Sequence, residues 1–295
     1  MQNNRSASLV KSSLAITVVL LLSKILSFAR DMLLANYLGA SELSDVFLAS
    51  SGVLFLFTSF VRSPFATSYL PIATEHYLHD PEQGRSPFFG KIYGVALALG
   101  TIFLLAMLLF LRPLVELMVP GFSPEAKAQL TNLLFLQLPV VLFVMVSIVV
   151  FGNLQVLGHL SLVETSNGVI ALVYVLYLLL FRHHITAAGL GLSTVAAYGA
   201  SLFPYMAAAA RGGIPLRLRR FSRKDPEIQE ILLATLPFML VSCTSQINSM
   251  VDRIVASLLD SGSVTIQSYA SKMTVTEVGL ISTAVSMVIF AQASR

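Results

Sequence analysis

Five polar side chains interrupt an otherwise apolar stretch near the amino terminus. Residues 14–38 are long and apolar enough to form a membrane-spanning helix. At about 100° per residue, the polar side chains share one face of that helix. They are Ser23, Lys24, Ser27, Arg30 and Asp31. A charged side chain within a bilayer costs about 3 kcal/mol, so we expect this face to line an aqueous cavity. The alternative is that Lys24 extends to the membrane surface and that Arg30 and Asp31 end the helix.

Such a cavity would bind an anion rather than catalyse a reaction. The sequence has no nucleophile triad, no phosphate-binding loop and no cluster with metal-ligand spacing, so we predict neither enzyme activity nor a cofactor. The five histidines fall at predicted helix ends or in loops. Cys243 is the only cysteine, which excludes an intrachain disulfide, and we interpret it as a buried apolar residue.

The composition places the polar face in a protein that is nearly all membrane. Apolar residues make up 56% of the chain, charged residues 12%, and the mean hydropathy is +0.79. The fold class is therefore an all-α polytopic membrane protein. Apolar windows predict eight spans, near residues 14–38, 45–75, 89–111, 128–157, 162–181, 187–210, 230–259 and 264–293. We expect a kink or unwinding of the second span near Ser63–Pro64, a polar loop at 76–87 and another at 119–124.

Basic residues predict the orientation of these spans. If the amino terminus is cytoplasmic, eleven basic residues lie inside and three outside. Most of the excess comes from the basic linker at 211–230, which favours contact with anionic headgroups and not with nucleic acid. Five further basic residues lie within spans and need another explanation; they are Lys24, Arg30, Arg62, Arg253 and Lys272.

The polar face of the first span recurs later in the chain. A shift of 222 residues places Ser23 on Ser245 and the pair Arg30–Asp31 on Asp252–Arg253, with the charges inverted. Six intervening spans give the two copies the same orientation, as in parallel transporter repeats. We therefore predict a six-helix lobe with its linker over residues 1–225 and the first two helices of a second lobe over 226–295.

The inverted pairs predict a gate between the lobes. Adjacent residues on a helix point about 100° apart, so Arg30 is not expected to pair with Asp31. A two-fold axis would instead allow Arg30 to meet Asp252, or Asp31 to meet Arg253. Either bridge would form when one end of the cavity closes.

Three motifs resemble those of the MurJ/MviN lipid II flippases, a family of the MOP superfamily with a MATE-like fold. The first is Ser23, Lys24, Phe28, Arg30 and Asp31 with Gly39–Ala40 and Asp45–Val46–Phe47; the second is Pro120–Gly121–Phe122; the third is Ser261–Gly262–Ser263–Val264 with Tyr269–Ala270–Ser271–Lys272. Lys24 and Lys272 stand where the family has arginine. The family's arginines in the second helix would fall near residues 57–59, and Arg62 lies about one turn later.

The resemblance implies a flippase of the bacterial inner membrane that moves a lipid-linked diphosphate by alternating access. Its basic cavity would contain Lys24, Arg30, Arg62 and Lys272. The carboxylates of Asp31, Asp45 and Asp252 would hold these cations or bind a coupling ion. The family usually has about fourteen spans, so a second chain supplying further helices is another partner to consider. The open alternatives are a MATE-like exporter of small molecules and a non-transporting truncated paralogue or membrane scaffold.

Overall fold

The computed structural model describes residues 2–79, 87–156, 162–211, 219, 221–222 and 224–274, and these residues form helices and loops with no strand. The helices are α1 (Gln2–Leu38), α2 (Glu42–His79), α3 (Pro87–Leu109), α4 (Leu111–Met118), α5 (Pro124–Gln137), α6 (Pro139–Val156), α7 (Leu162–Leu180), α8 (Ala187–Arg211) and α9 (Pro226–Ser257). A further helix, α10, covers residues 263–274. Most of the predicted eighth span, and residues 80–86 of the first predicted loop, lie outside the described residues.

Helix α2 does not unwind at its prolines, so the prediction of unwinding was wrong, while a kink near Pro64 stays a prediction. Helical structure is continuous across Pro64 and Pro71. Nearby hydroxyls add bonds to the backbone there: Thr67 Oγ1 donates to the Ser63 carbonyl at 2.9 Å and Thr74 Oγ1 to the Leu70 carbonyl at 2.8 Å. The helix also runs on to His79, beyond the predicted start of the polar loop at residue 76.

The predicted span at 128–157 consists of two helices instead of one. Helix α5 ends at Gln137 and α6 begins at Pro139. Proline has no N–H to continue the helical hydrogen bonds, and the Leu138 N–H bonds instead to the Phe135 carbonyl at 3.3 Å. The predicted loop at 119–124 is confirmed, because α4 ends at Met118 and Ser123 caps α5 through a 3.1 Å bond from the Ala126 N–H.

The helices pack around α2, which contacts α5, α6, α8 and α9, while α1 packs on α7. Two apolar clusters form the core, one toward each end of the bundle. The first contains Leu34, Val46, Met118, Leu130 and Leu178, and the second contains Phe65, Tyr69, Phe88, Ile92 and Leu154. Both clusters contain residues of α2, so this helix contributes to the core at both ends of the bundle.

Several described helices are suited to cross a membrane. Four have the length and hydropathy to do so, namely α2, residues 88–109 of α3, α6 and α9. Large apolar side chains on α2, α3 and α9 are exposed, as expected of helices that face lipid. This is the architecture of a multi-pass membrane protein.

Candidate functional site

The carboxylate of Asp31 lies between two cations from opposite ends of the sequence. One of its oxygens, Oδ1, accepts bonds from Arg30 Nη2 at 2.8 Å, from Arg30 Nε at 3.0 Å and from Lys272 Nζ at 3.0 Å. All three side chains are partly exposed, at 22%, 23% and 41% for Arg30, Asp31 and Lys272. Two cations around one carboxylate leave one positive charge, so the site suits an anionic ligand.

Each of these two cations lies near the ring of a tyrosine. The Arg30 guanidinium lies 5.8 Å from the ring centre of Tyr174, and Lys272 Nζ lies 5.4 Å from that of Tyr269. Both arrangements are within the range of cation–π attraction. Tyr269 precedes Lys272 by one helical turn, so the spacing of the third motif could have revealed it. Tyr174 lies in the apolar run of α7, and no pattern in the sequence marks it.

A buried hydrogen-bond network fixes Tyr174. Its hydroxyl donates to Thr194 Oγ1 at 2.8 Å, and the Gln137 side-chain amide donates to the same oxygen at 3.1 Å. Gln137 is fully buried. Helices α5, α7 and α8 thereby hold the ring against which Arg30 packs.

Two more basic side chains, Arg62 and Lys24, do not contact Asp31. Arg62 is exposed on α2. Lys24 is exposed on α1, two helical turns or about 10 Å from Asp31 on the same face. The structure thus brings Arg30, Asp31 and Lys272 into contact and leaves Lys24 and Arg62 on the surrounding surface.

Asp45 does not contact these cations. It is buried, and its carboxylate accepts bonds from the backbone N–H groups of Gly262 at 2.6 Å and Thr265 at 2.8 Å, and from Thr265 Oγ1 at 2.6 Å. These donors belong to the first turn of α10, where backbone N–H groups lack helical partners. Asp45 therefore ties α2 to α10 as a helix cap.

The predicted bridges between the charge pairs are not formed here. Arg30 bonds to its neighbour Asp31, contrary to the expectation from helix geometry, because the long arginine side chain folds back toward it. Asp252 is exposed on α9. The Arg253 guanidinium instead occupies the space beside Gly52 of α2, where a Cβ atom would overlap it.

The three sequence motifs meet at one end of the bundle. Gly262, at φ +95°, lies against Ala40, and a Cβ on this glycine would stand 2.9 Å from the Ala40 Cβ. Gly121 lies directly against the backbone of Ser257 at the end of α9. Together with the Asp45 cap, these contacts join α2 and the α1–α2 turn to the start of α10, and the α4–α5 loop to the end of α9.

Among the residues that the structure describes, no group of three or more His, Cys, Asp or Glu side chains could hold a metal ion. His76 stacks on Phe88 with ring centres 4.1 Å apart, and His183 accepts a 3.0 Å bond from Arg182 Nε. His159 lies outside the described residues.

The helical bundle has a counterpart of the same fold among solved structures. The structure titled "Lipid II flippase MurJ, inward closed conformation" superposes with a TM-score of 0.71 at 20% identity, covering 90% of this chain and 56% of that one. The family model described as "Lipid II flippase MurJ" matches residues 34–295. The chain belongs to the lipid II flippase MurJ family.

Relatives with the description "Probable lipid II flippase MurJ" match over nearly the whole chain. The protein from Buchnera aphidicola subsp. Schizaphis graminum is 24% identical over 291 residues, which is 96% of this chain and 56% of the relative. The protein from Rhizobium tropici is 27% identical over 300 residues, which is 98% of this chain and 55% of the relative. The chain spans a little over half the length of these curated relatives.

Proposed function

We propose that this protein moves a lipid-linked anionic diphosphate, such as the cell-wall precursor lipid II, across the bacterial inner membrane. The observation that carries the proposal is the contact of Lys272 on α10 with Asp31 beside Arg30 on α1. This cationic centre belongs to a bundle in which four helices have the length and hydropathy to cross a membrane. Family membership and the description of the relatives support the substrate class.

The chemistry of the centre fits a diphosphate. An arginine guanidinium binds two phosphate oxygens through parallel N–H donors, and a lysine ammonium adds a compact charge. In the absence of substrate, Asp31 accepts hydrogen bonds from both Arg30 and Lys272. Its negative charge lowers the free energy of placing these two positive charges side by side. We propose that phosphate oxygens take over some of these donors, with Lys24 and Arg62 contributing along the path. Asp31 would then remain as the structural partner.

Translocation would proceed by rocking of two lobes, 1–225 and 226–295 with any helices beyond, about this site. The contacts of Asp45, Gly121 and Gly262 would hold one end closed while the other opens. Bridges from Arg30 to Asp252 or from Asp31 to Arg253 remain a prediction for another state. Charge reversal tests it, since Arg30→Asp should impair function and added Asp252→Arg should restore part of it. Strictly additive damage would count against the gate.

The proposed function is tested by complementation. The whole gene is expressed in a bacterial strain depleted of its own lipid II flippase, together with variants Arg30→Ala and Lys272→Ala. The wild-type protein should restore growth and both variants should fail while still inserted in the membrane. Arg182→Ala, which removes an exposed arginine from the α7–α8 loop, is the matched control and should behave as wild type. Failure of the wild-type protein would favour the scaffold alternative, and growth with Arg30→Ala would reject the site.

A further inference from the structure

A groove lies at the junction of α3, α4 and α5, away from the cationic centre. It encloses about 380 Å³, within the range of small-molecule sites. Its lining includes Leu108, Leu109, Arg112, Thr131, Asn132 and Phe135. The groove opens where the chain turns at Phe110 between α3 and α4, because that residue leaves helical geometry with φ −100° and ψ 14°.

The position of this groove matches the surface of the bilayer. Helix α3 has 23 residues and is about 34 Å long, slightly more than the hydrocarbon thickness. Its other end lies beside the basic linker, where the Arg219 N–H bonds to the Gly90 carbonyl at 3.1 Å. The groove is thus at the opposite membrane surface. The short helix α4 is amphipathic, burying Leu111 and Val115 and exposing Arg112, as expected at an interface.

The lining combines one free cation with apolar side chains. Within the described residues, neither Arg112 nor Asn132 has a hydrogen-bond or ion-pair partner, whereas the nearby Lys127 is paired with Glu116 at 2.7 Å. Thr131 donates to the Lys127 carbonyl at 2.8 Å and can only accept further bonds from a ligand. The donors available in the groove are therefore the Arg112 guanidinium and the Asn132 amide.

The apolar part of the groove faces outward. Leu109 is 75% exposed and Phe135 60% exposed, which would be unfavourable in water but is natural against acyl chains. From these features we propose that the groove binds an anionic phospholipid, with the phosphate at Arg112 and Asn132 and the acyl chains along Leu109 and Phe135. This proposal does not depend on the transport function.

The absence of tryptophan from the sequence gives a direct test. Phe135→Trp would place a single tryptophan in the groove. Its quenching is compared in two mixed vesicles of equal phosphatidylglycerol and phosphatidylcholine content, with the acyl bromines on phosphatidylglycerol in one and on phosphatidylcholine in the other. We expect phosphatidylglycerol to occupy the groove about fivefold more strongly, the effect of one cation near the headgroups. High salt should reduce this preference.

Two controls make the outcome decisive. In the Phe135→Trp background, Arg112→Gln should remove the preference, and Arg182→Gln, a charge at the same end of the bundle outside the groove, should keep it. In matched proteins that keep Phe135, a single tryptophan at the lipid-exposed Phe203 of α8 reports insertion of each arginine variant and should show no preference. Equal quenching by the two lipids, or a preference that survives Arg112→Gln, would overturn the proposal.

Discussion

At the scale of single residues, the proposed function rests on the Arg30–Asp31–Lys272 cluster. Arg30 and Asp31 were predicted from the polar face of the first span, and Lys272 from its motif. The relation between Arg30 and Asp31 was predicted wrongly. The 100° rule fixes the directions of Cβ atoms, whereas an arginine side chain has enough rotatable bonds to return to its neighbour. Asp45 was assigned to the cavity because a sequence does not show which backbone N–H groups will surround a carboxylate.

Removing the carboxylate between the two cations should destabilise the protein. Asp31→Asn would leave Arg30 and Lys272 facing each other across a neutral amide, and the loss of charge-assisted bonds should cost about 1–3 kcal/mol. The thermal unfolding midpoint of the purified protein measures this loss. Asp260→Asn, at an exposed position after α9, is the control and should change little. Equal midpoints for both variants would contradict the assigned role of Asp31.

A pH effect is expected where the linker meets α3. The Ser222 N–H bonds to Asp225 Oδ2 at 3.1 Å, and this bond, followed by the ion pair with Lys91 at 3.4 Å, holds the pKa of Asp225 below its ordinary value. The lowered pKa of Asp225 stabilises the folded state at pH values above about 3.9, the pKa of an aspartate in the unfolded chain. This stabilisation is lost as the pH falls through the lower pKa of Asp225 in the folded state.

Phe221, which packs on Gly94, provides the readout for this pH effect. The emission of Phe221→Trp should shift to longer wavelength as the pH falls below about 4. With added Lys91→Met the shift should already be present in part at neutral pH, whereas Lys224→Met at an exposed linker position should have no effect. Emission independent of both pH and Lys91 would show that these contacts do not hold the linker.

At the scale of helices, the apolar windows predicted the elements well and their interruptions poorly. Windows detect average hydropathy, so the turn between α5 and α6 was hidden inside one apolar stretch. Conversely, the prolines of α2 indicated an interruption, whereas the helix is continuous across both of them. A window average does not separate a proline at which a helix ends, such as Pro139, from one that a helix accommodates, such as Pro64.

The attachment of α2 to α10 should depend on the Asp45 carboxylate. Asp45→Asn keeps the shape of the side chain but removes the charge at the start of α10, so we expect a loss of about 1–2 kcal/mol. Hydrogen exchange of the Gly262 and Thr265 amides should accelerate in this variant. Glu42→Gln changes an exposed residue in the first turn of α2, the helix that carries Asp45, and should leave the exchange of both amides unaltered. Unchanged exchange in Asp45→Asn would contradict the cap.

At the scale of the whole molecule, the sequence predicted a membrane bundle and its family, but not how α1 and α9 pack. The repeat suggested that these two helices face each other, whereas α1 packs on α7 and α9 on α2. An internal repeat indicates that two segments have similar structures, but it does not indicate which helices each of them packs against. The division into lobes at residue 225 and the cytoplasmic amino terminus remain predictions.

Orientation can be tested with single cysteines in a Cys243→Ser background. If the amino terminus is cytoplasmic, a cysteine replacing Lys224 should react only after the membrane is permeabilised. A cysteine replacing Arg182, in the loop at the other end, should react with an impermeant maleimide in intact cells. The reverse pattern would show that the orientation inferred from the basic residues is wrong.

The central claim is that Arg30 and Lys272 bind the diphosphate of a lipid-linked precursor, and binding of lipid II to the purified protein tests it most directly. Arg30→Ala and Lys272→Ala should each weaken binding about tenfold or more, since a charge-assisted hydrogen bond contributes about 1.5–3 kcal/mol. Arg182→Ala should bind like wild type, and the dephosphorylated lipid should bind weakly to every variant. Unchanged affinity of lipid II for both the Arg30→Ala and the Lys272→Ala variants would contradict the account.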